Sequence, residues 1–218
     1  MRSTLRSISA AVALAGASAG PSRLHAQTAT TPPPTVAQSA MSPAALAKAN
    51  HGIPPFSKAD VDFMSGMIGH HAQAVVMAGW APTHGARKDV QILCQRIAVA
   101  QTDEIASMQR WLRDRNQPVP DAHEIHGRTM AGMDMPMLMP GMLTDAELAQ
   151  LDHARGPEFD RLFLTFMIKH HQGAVSMVET LLGSNDAAED DIVYRFASDV
   201  YADQTTEIAR MQKMLGQP

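Results

Sequence analysis

Two segments of this chain carry the same donor pattern, Met67-x-x-His70-His71-x-x-Ala74-x-x-Met77 and Met167-x-x-His170-His171-x-x-Ala174-x-x-Met177, one hundred residues apart. Imidazole and thioether are neutral, fairly soft donors. They suit copper, whereas magnesium and calcium select oxygen. On a helix, positions i, i+3 and i+4 share a face, so each segment can turn two imidazoles and a thioether toward one ion, with a second thioether at i+10. A lone buried histidine or methionine is more simply core packing, because methionine fills irregular gaps. A whole set that occurs twice favours metal.

A second pattern repeats with the first. Gln-x-x-Glu-Ile-Ala-x-Met-Gln occurs at 101–109 and again at 204–212. It puts Ile97, Gln101, Glu104, Ile105, Met108 and Leu112 on one helical stripe, and Val200, Gln204, Glu207, Ile208, Met211 and Leu215 on the other. A carboxylate on a core-facing stripe is costly unless paired. Glu104 and Glu207 therefore either ligate the metal or accept a hydrogen bond from a liganding histidine and fix its tautomer, the second being preferred. The purely structural alternative is a hydrogen bond to the other helix or to Gln101 and Gln204. Met108 and Met211 join the candidate ligands.

A third donor group lies between the repeats. Residues 118 to about 143 contain His123, His126, Met130, Met133, Met135, Met137, Met139 and Met142 among prolines and glycines. Such a segment cannot hold an amphipathic helix. His126 with Met130, Met133, Met135, Met137 and Met139 could wrap Cu(I) or recruit it, the alternative being an apolar cover over the core.

The elements that must position these donors are helices. Of 218 residues 45% are apolar but only 5% aromatic, and sixteen are methionine, a composition that favours an all-α class over a β-sandwich. Ser57 and Asp60 form a capping-box-like start to a helix reaching about residue 80, ended by Pro82 and Gly85. A second helix is expected from 86 to about 114. Thr144 and Glu147 cap a short connecting helix, and Pro157 opens a third long helix running to 182. The fourth is expected from about 186 to 215. Two duplicated hairpins make a four-helix bundle the simplest all-α architecture, spanning 57–216.

The first 26 residues read as a secretory signal peptide, with Arg2 and Arg6, an apolar run and an exit at Leu24-His25-Ala26. Residues 27–56 read as a Pro/Ala/Thr-rich flexible tether, with His51 a solvated residue in it. No apolar stretch is long enough for a membrane span in the mature form. The net charge of −4 gives no basic field for nucleic acid. The single cysteine, Cys94, closes no intrachain disulfide and fits a buried structural role.

The run Phe159-Asp160-Arg161-Leu162-Phe163-Leu164, followed by Met167-Ile168-Lys169-His170-His171-Gln172-Gly173-Ala174 and by Gln204-x-x-Glu207-Ile208-x-x-Met211, resembles the domain-of-unknown-function 305 family, whose members include CopM-like periplasmic copper-binding proteins. The likeness spans about 57 to 216. It implies a ferritin-like four-helix bundle that binds copper in the cell envelope, periplasmic or secreted. By position its ligands would be Met67, His70, His71, Met77, Met167, His170, His171 and Met177. Ala78-Gly79-Trp80 and the Pro82 turn depart from the smoother apolar run expected there, which bears on the end of the first helix.

The expectation is a copper-binding protein, not an enzyme, that sequesters or carries Cu(I), and Cu(II) too, and passes it to a copper exporter or chaperone. A ferritin-like metal-dependent oxidoreductase is the main rival, but no Glu-x-x-His occurs on the proposed core faces. A metal-free helical interaction module is another, and zinc competes for imidazole.

Overall fold

In the computed structural model the described residues are 54–122 and 138–216, and they form five helices. These are α1 (Lys58–Gly79), α2 (Lys88–Asp114), α3 (Asp145–His153), α4 (Pro157–Leu182) and α5 (Asp191–Leu215). The signal-peptide assignment, the tether up to residue 53, and His51, His123, His126, Met130, Met133, Met135 and Met137 lie outside the described residues; at the tether's expected end Phe56 instead packs edge-on against Trp111, with ring centroids 5.6 Å apart. Among the described residues no helix is long and apolar enough to cross a membrane.

The caps follow the sequence closely. Ser57 Oγ accepts from Asp60 N at 3.1 Å, and Asp60 Oδ2 accepts from Ser57 N at 2.8 Å. Thr144 and Glu147 make the same reciprocal pair at the start of α3. Gly156, at φ +58, precedes Pro157 and sets the α4 entry, a backbone region that glycine reaches without strain.

The α5 start corrects the expectation of a helix from about residue 186. Asp186 and Ala188 take left-handed φ values of +58 and +56, so the chain turns instead of winding on. The helix begins only after Asp190, whose Oδ1 accepts from Ile192 N at 2.9 Å. Its other oxygen takes the Trp111 indole N–H at 3.0 Å and the Arg115 guanidinium, a buried ion pair that joins the end of α2 to the start of α5.

Helix α1 packs on α2, α4 packs on α5, and the two pairs meet along α1 and α4. The apolar side chains form two clusters. One joins the end of α1 (Met77), the start of α2 (Leu93, Ile97), the start of α4 (Phe159, Phe163) and the end of α5 (Met211). The other joins the start of α1 (Phe63, Ile68), the end of α2 (Leu112), the end of α4 (Val178) and the start of α5 (Val193). Sharing ends in this way makes α1 antiparallel to α2 and to α4, and α4 antiparallel to α5. Leu215 closes the stripe predicted for α5 yet is 39% exposed, because the helix stops there, beyond the cluster.

Two acids lock the pairs together. Asp60 on α1 accepts from Ala188 N at 2.7 Å, in the turn between α4 and α5. Asp160, its counterpart on α4, accepts from Arg87 N at 3.2 Å, at the entry to α2. Each pair thus finishes the other's turn.

Candidate metal centre

His70, His71, His170 and His171 are all fully buried, on facing stretches of α1 and α4. The His70 and His170 rings lie 3.9 Å apart between centroids, with His71 and His171 6.4 Å and 6.3 Å from their neighbours. The four imidazoles make a polar belt at mid-height, between the two apolar clusters.

Two neighbours fix where ring protons sit, and a third stands close by. His70 Nε2 is 3.0 Å from the carbonyl of Pro140, which can only accept, so Nε2 carries the hydrogen and Nδ1 keeps a lone pair. His171 Nε2 donates to Glu207 Oε2 at 2.7 Å. His71 Nε2 stands 2.7 Å from Glu104 Oε2, close but off the N–H axis. The preferred reading, a glutamate accepting from a histidine, describes the Glu207 contact, while Glu104 lies beside His71 without closing the bond.

What remains is unusual for a protein core. The Nδ1 atoms of His70, His71 and His171 and both ring nitrogens of His170 are buried with no hydrogen-bond partner. A buried polar atom without a partner costs about 1–3 kcal/mol, so a cluster of them is unfavourable packing and favourable ligand supply. Among the described residues no three His, Cys, Asp or Glu side chains are gathered as a finished ligand set. Thioethers are therefore the donors that could complete a shell around the belt.

The methionines are partitioned differently from the expected grouping along one helix. Met67 and Met108 are buried in one cluster, with Met177 half-buried against it. Met77, Met167 and Met211 are buried in the other. Each motif therefore sends one methionine to either side of the belt, because Met67 and Met77 are ten residues, nearly three turns, apart. The candidate methionines thus fall into two cross-helix sets, Met67, Met108 and Met177 on one side and Met77, Met167 and Met211 on the other, with Met64 and Met214 buried in the same two clusters.

The end of the Met-rich connector reaches the belt. Residues 138–143 lie as a strap over the α1/α4 groove. Met139 is buried with its Sδ 3.2 Å from where a Cβ on Gly66 would stand, and Met177 Cε is 3.5 Å from the same point. Met142 is buried too. Gln73 holds the strap in both directions, donating to Leu143 O at 3.0 Å and accepting from Leu143 N at 2.8 Å. Gly141, at φ +76, and Gly173 let the two backbones touch. The reading of the motifs passed over Gln73 and Gly173. They are the same position of the repeat, so their mismatch was the available signal.

Burial, and then the charge of His71, hold the His70 imidazole at about 3, far below its ordinary 6.5. Burial, followed by the charges of His70, His171 and His71, also holds His170 well below that value. Both rings are neutral at physiological pH, with lone pairs available. Cys94 is buried, and burial followed by the Asp160 charge pushes its thiol up, consistent with a structural side chain.

These shifts set a sign for stability. The unfolded chain protonates His70 near 6.5 while the folded chain resists until about 3. The stability contributed is thus complete above pH 6.5 and is lost as pH falls toward 3, by about 1.4 kcal/mol per pH unit from His70. His170 adds in the same direction. Urea midpoints of the metal-free protein measured across this range should fall more steeply with acid than those of His70→Leu/His170→Leu. Parallel curves would contradict the assignment.

A family model described as a domain of unknown function, DUF305, matches residues 60–215. The chain belongs to the DUF305 family. Among solved structures it is similar to a DUF305 fragment from Deinococcus radiodurans, at 30% identity and a TM-score of 0.61, covering 75% of this chain and 99% of that one. It is also similar to a DUF305 protein from Streptomyces coelicolor assigned as secreted, at 29% identity and TM-score 0.61, covering 72% and 91%. CopM in its Cu(I)-bound form matches at 26% identity and TM-score 0.54, covering 71% and 94%, and CopM has also been solved with Cu(II) and with silver. No curated protein matches significantly.

Proposed function

We propose that this DUF305 protein is an exported, periplasmic or secreted copper-binding protein that sequesters or carries Cu(I), and Cu(II) as well, for copper tolerance. We read its four long helices as a ferritin-like bundle of two duplicated hairpins whose polar belt holds the ion. The observation that carries this reading is the set of partnerless imidazole nitrogens of His70, His71, His170 and His171, with the ring protons of His70 and His171 directed away onto Pro140 and Glu207. The methionine sets on either side would supply the sulfur that favours copper over zinc. Neutral donors hold a monovalent ion without gathering buried charge. Met139 is the connector methionine placed to share in binding or hand-over. An exporter or chaperone in the envelope would receive the ion.

The function proposed is binding without turnover. A di-metal oxidase uses carboxylates as metal ligands, whereas Glu104 and Glu207 are each committed to a histidine ring. Likeness to CopM, solved with Cu(I), Cu(II) and silver, supports the choice of ion. Purified protein should take up at least one Cu(I) per chain, about one equivalent or more, in competition with a coloured Cu(I) chelator, while zinc at equal concentration is displaced by copper. Uptake below one copper per chain, or sustained oxygen consumption with Fe(II) or Cu(I), would rule the proposal out.

A further inference from the structure

The belt meets the outside on two faces. On the α1/α4 side the strap lies across it, with Pro140 on His70 and Leu143 tied to Gln73. On the α2/α5 side stand Glu104 and Glu207, whose side chains are 22% and 21% exposed while their carboxylates touch His71 and His171. These two carboxylates span the distance from solvent to imidazole.

One helical turn before each glutamate, on the same face, sits a glutamine that is 3% exposed. Neither amide atom of Gln101 has a hydrogen-bond partner, and the carbonyl oxygen of Gln204 has none. Leucine would fill such positions at less cost, so buried, partnerless amides one turn from the glutamates that touch the imidazoles point to a visiting polar ligand, for which an amide oxygen is a weak, passing donor. Asp203 adds a third acid, exposed and one turn before Glu207 on the same side of that helix. Its carboxyl is raised by burial first and then by the negative charges of Glu104, Glu207 and Asp199. Its counterpart in the first repeat is Ala100, so this acid is additional to the duplicated pattern.

We propose that the α2/α5 face is the port by which the ion reaches and leaves the belt, with Asp203, Glu104 and Glu207 as its acidic rim and the Gln101 and Gln204 amides as intermediate oxygen donors. The inference rests on the copper-binding reading and names the route to that same centre. The rim concentrates a cation at the surface. The amide oxygens replace part of its hydration before the imidazole lone pairs take it. Their neutrality keeps the stop weak enough to leave.

The test is the rate at which full-length, metal-free protein draws Cu(I) from a coloured chelator complex, followed by stopped flow at several ionic strengths. Asp203→Asn should load about 3- to 10-fold more slowly at low salt, with the difference shrinking as salt screens the rim. Gln101→Leu/Gln204→Leu should load about 10-fold more slowly or worse at every salt concentration, since a direct contact is lost. Copper per chain at the end point should stay unchanged in both. Wild-type rates in both variants overturn the port while leaving the centre standing. Failure of the unaltered protein to load overturns the centre and the port together. Should the double leucine variant not fold, the salt-dependent deficit of Asp203→Asn decides the matter alone.

Discussion

Replacing His70 and His170 together by leucine should raise the melting temperature of the metal-free protein and abolish its further rise on adding Cu(I). The two rings face each other at 3.9 Å in the middle of the core, and three of their four nitrogens have no partner. Each unsatisfied polar atom costs about 1–3 kcal/mol, and leucine at these positions gains apolar burial instead. The one bond surrendered, from His70 to Pro140 O, involves a residue at the surface where water can substitute. The expected gain is about 2 kcal/mol, or several degrees in a melting scan. The binding effect is larger. A ligand at a thousand times its dissociation constant stabilises the folded state by about 4 kcal/mol, and the variant should lose nearly all of that increment. A structural role for these histidines gives the opposite sign in the first measurement, so a lower melting temperature without metal would count against the centre.

Gly173→Ala should be among the most damaging single substitutions in the protein. A Cβ on Gly173 would lie 2.0 Å from Pro140 O and 2.6 Å from Gly141 Cα, distances no side chain tolerates, and the obstructing atoms are backbone. Either α4 or the strap has to move. Shifting the strap breaks the paired hydrogen bonds of Gln73 with Leu143, removes the acceptor of His70 Nε2 and exposes Met139, Met142 and Leu143. Losing the burial of these three side chains at about 1.5–3 kcal/mol each predicts a cost of about 4 kcal/mol or more. The readouts are the urea midpoint and proteolysis within residues 138–143, which should become fast under native conditions. Near-wild-type stability would show that the strap is not part of the folded core.

Much of this architecture was legible in the residues. The capping pairs at Ser57 and Thr144 and the proline at 157 marked three helix starts, because each is a local device that works with its immediate neighbours. The start of α5 was not legible, since the left-handed Ala188 is held in part by Asp60, 128 residues away. The histidines and Glu104 and Glu207 could be named because helical periodicity fixes a face. Periodicity does not say which partner helix receives a side chain. Hence Met67 and Met77 were grouped by their helix, while the packing sends them to opposite clusters. Gln73 and Gly173 escaped notice for a related reason. A repeat draws the eye to what is the same in both copies, and the strap is seated where the copies differ.

The exchange of acids between the two hairpins reaches beyond local capping. Since Asp60 completes a turn of the second half and Asp160 one of the first, and both clusters draw on all four long helices, neither half owns its own interior. The two repeats are thus mutually dependent in place of two beads on a string. The two copies must therefore assemble as one cooperative unit, and the imidazole lone pairs come into register only when that assembly is complete.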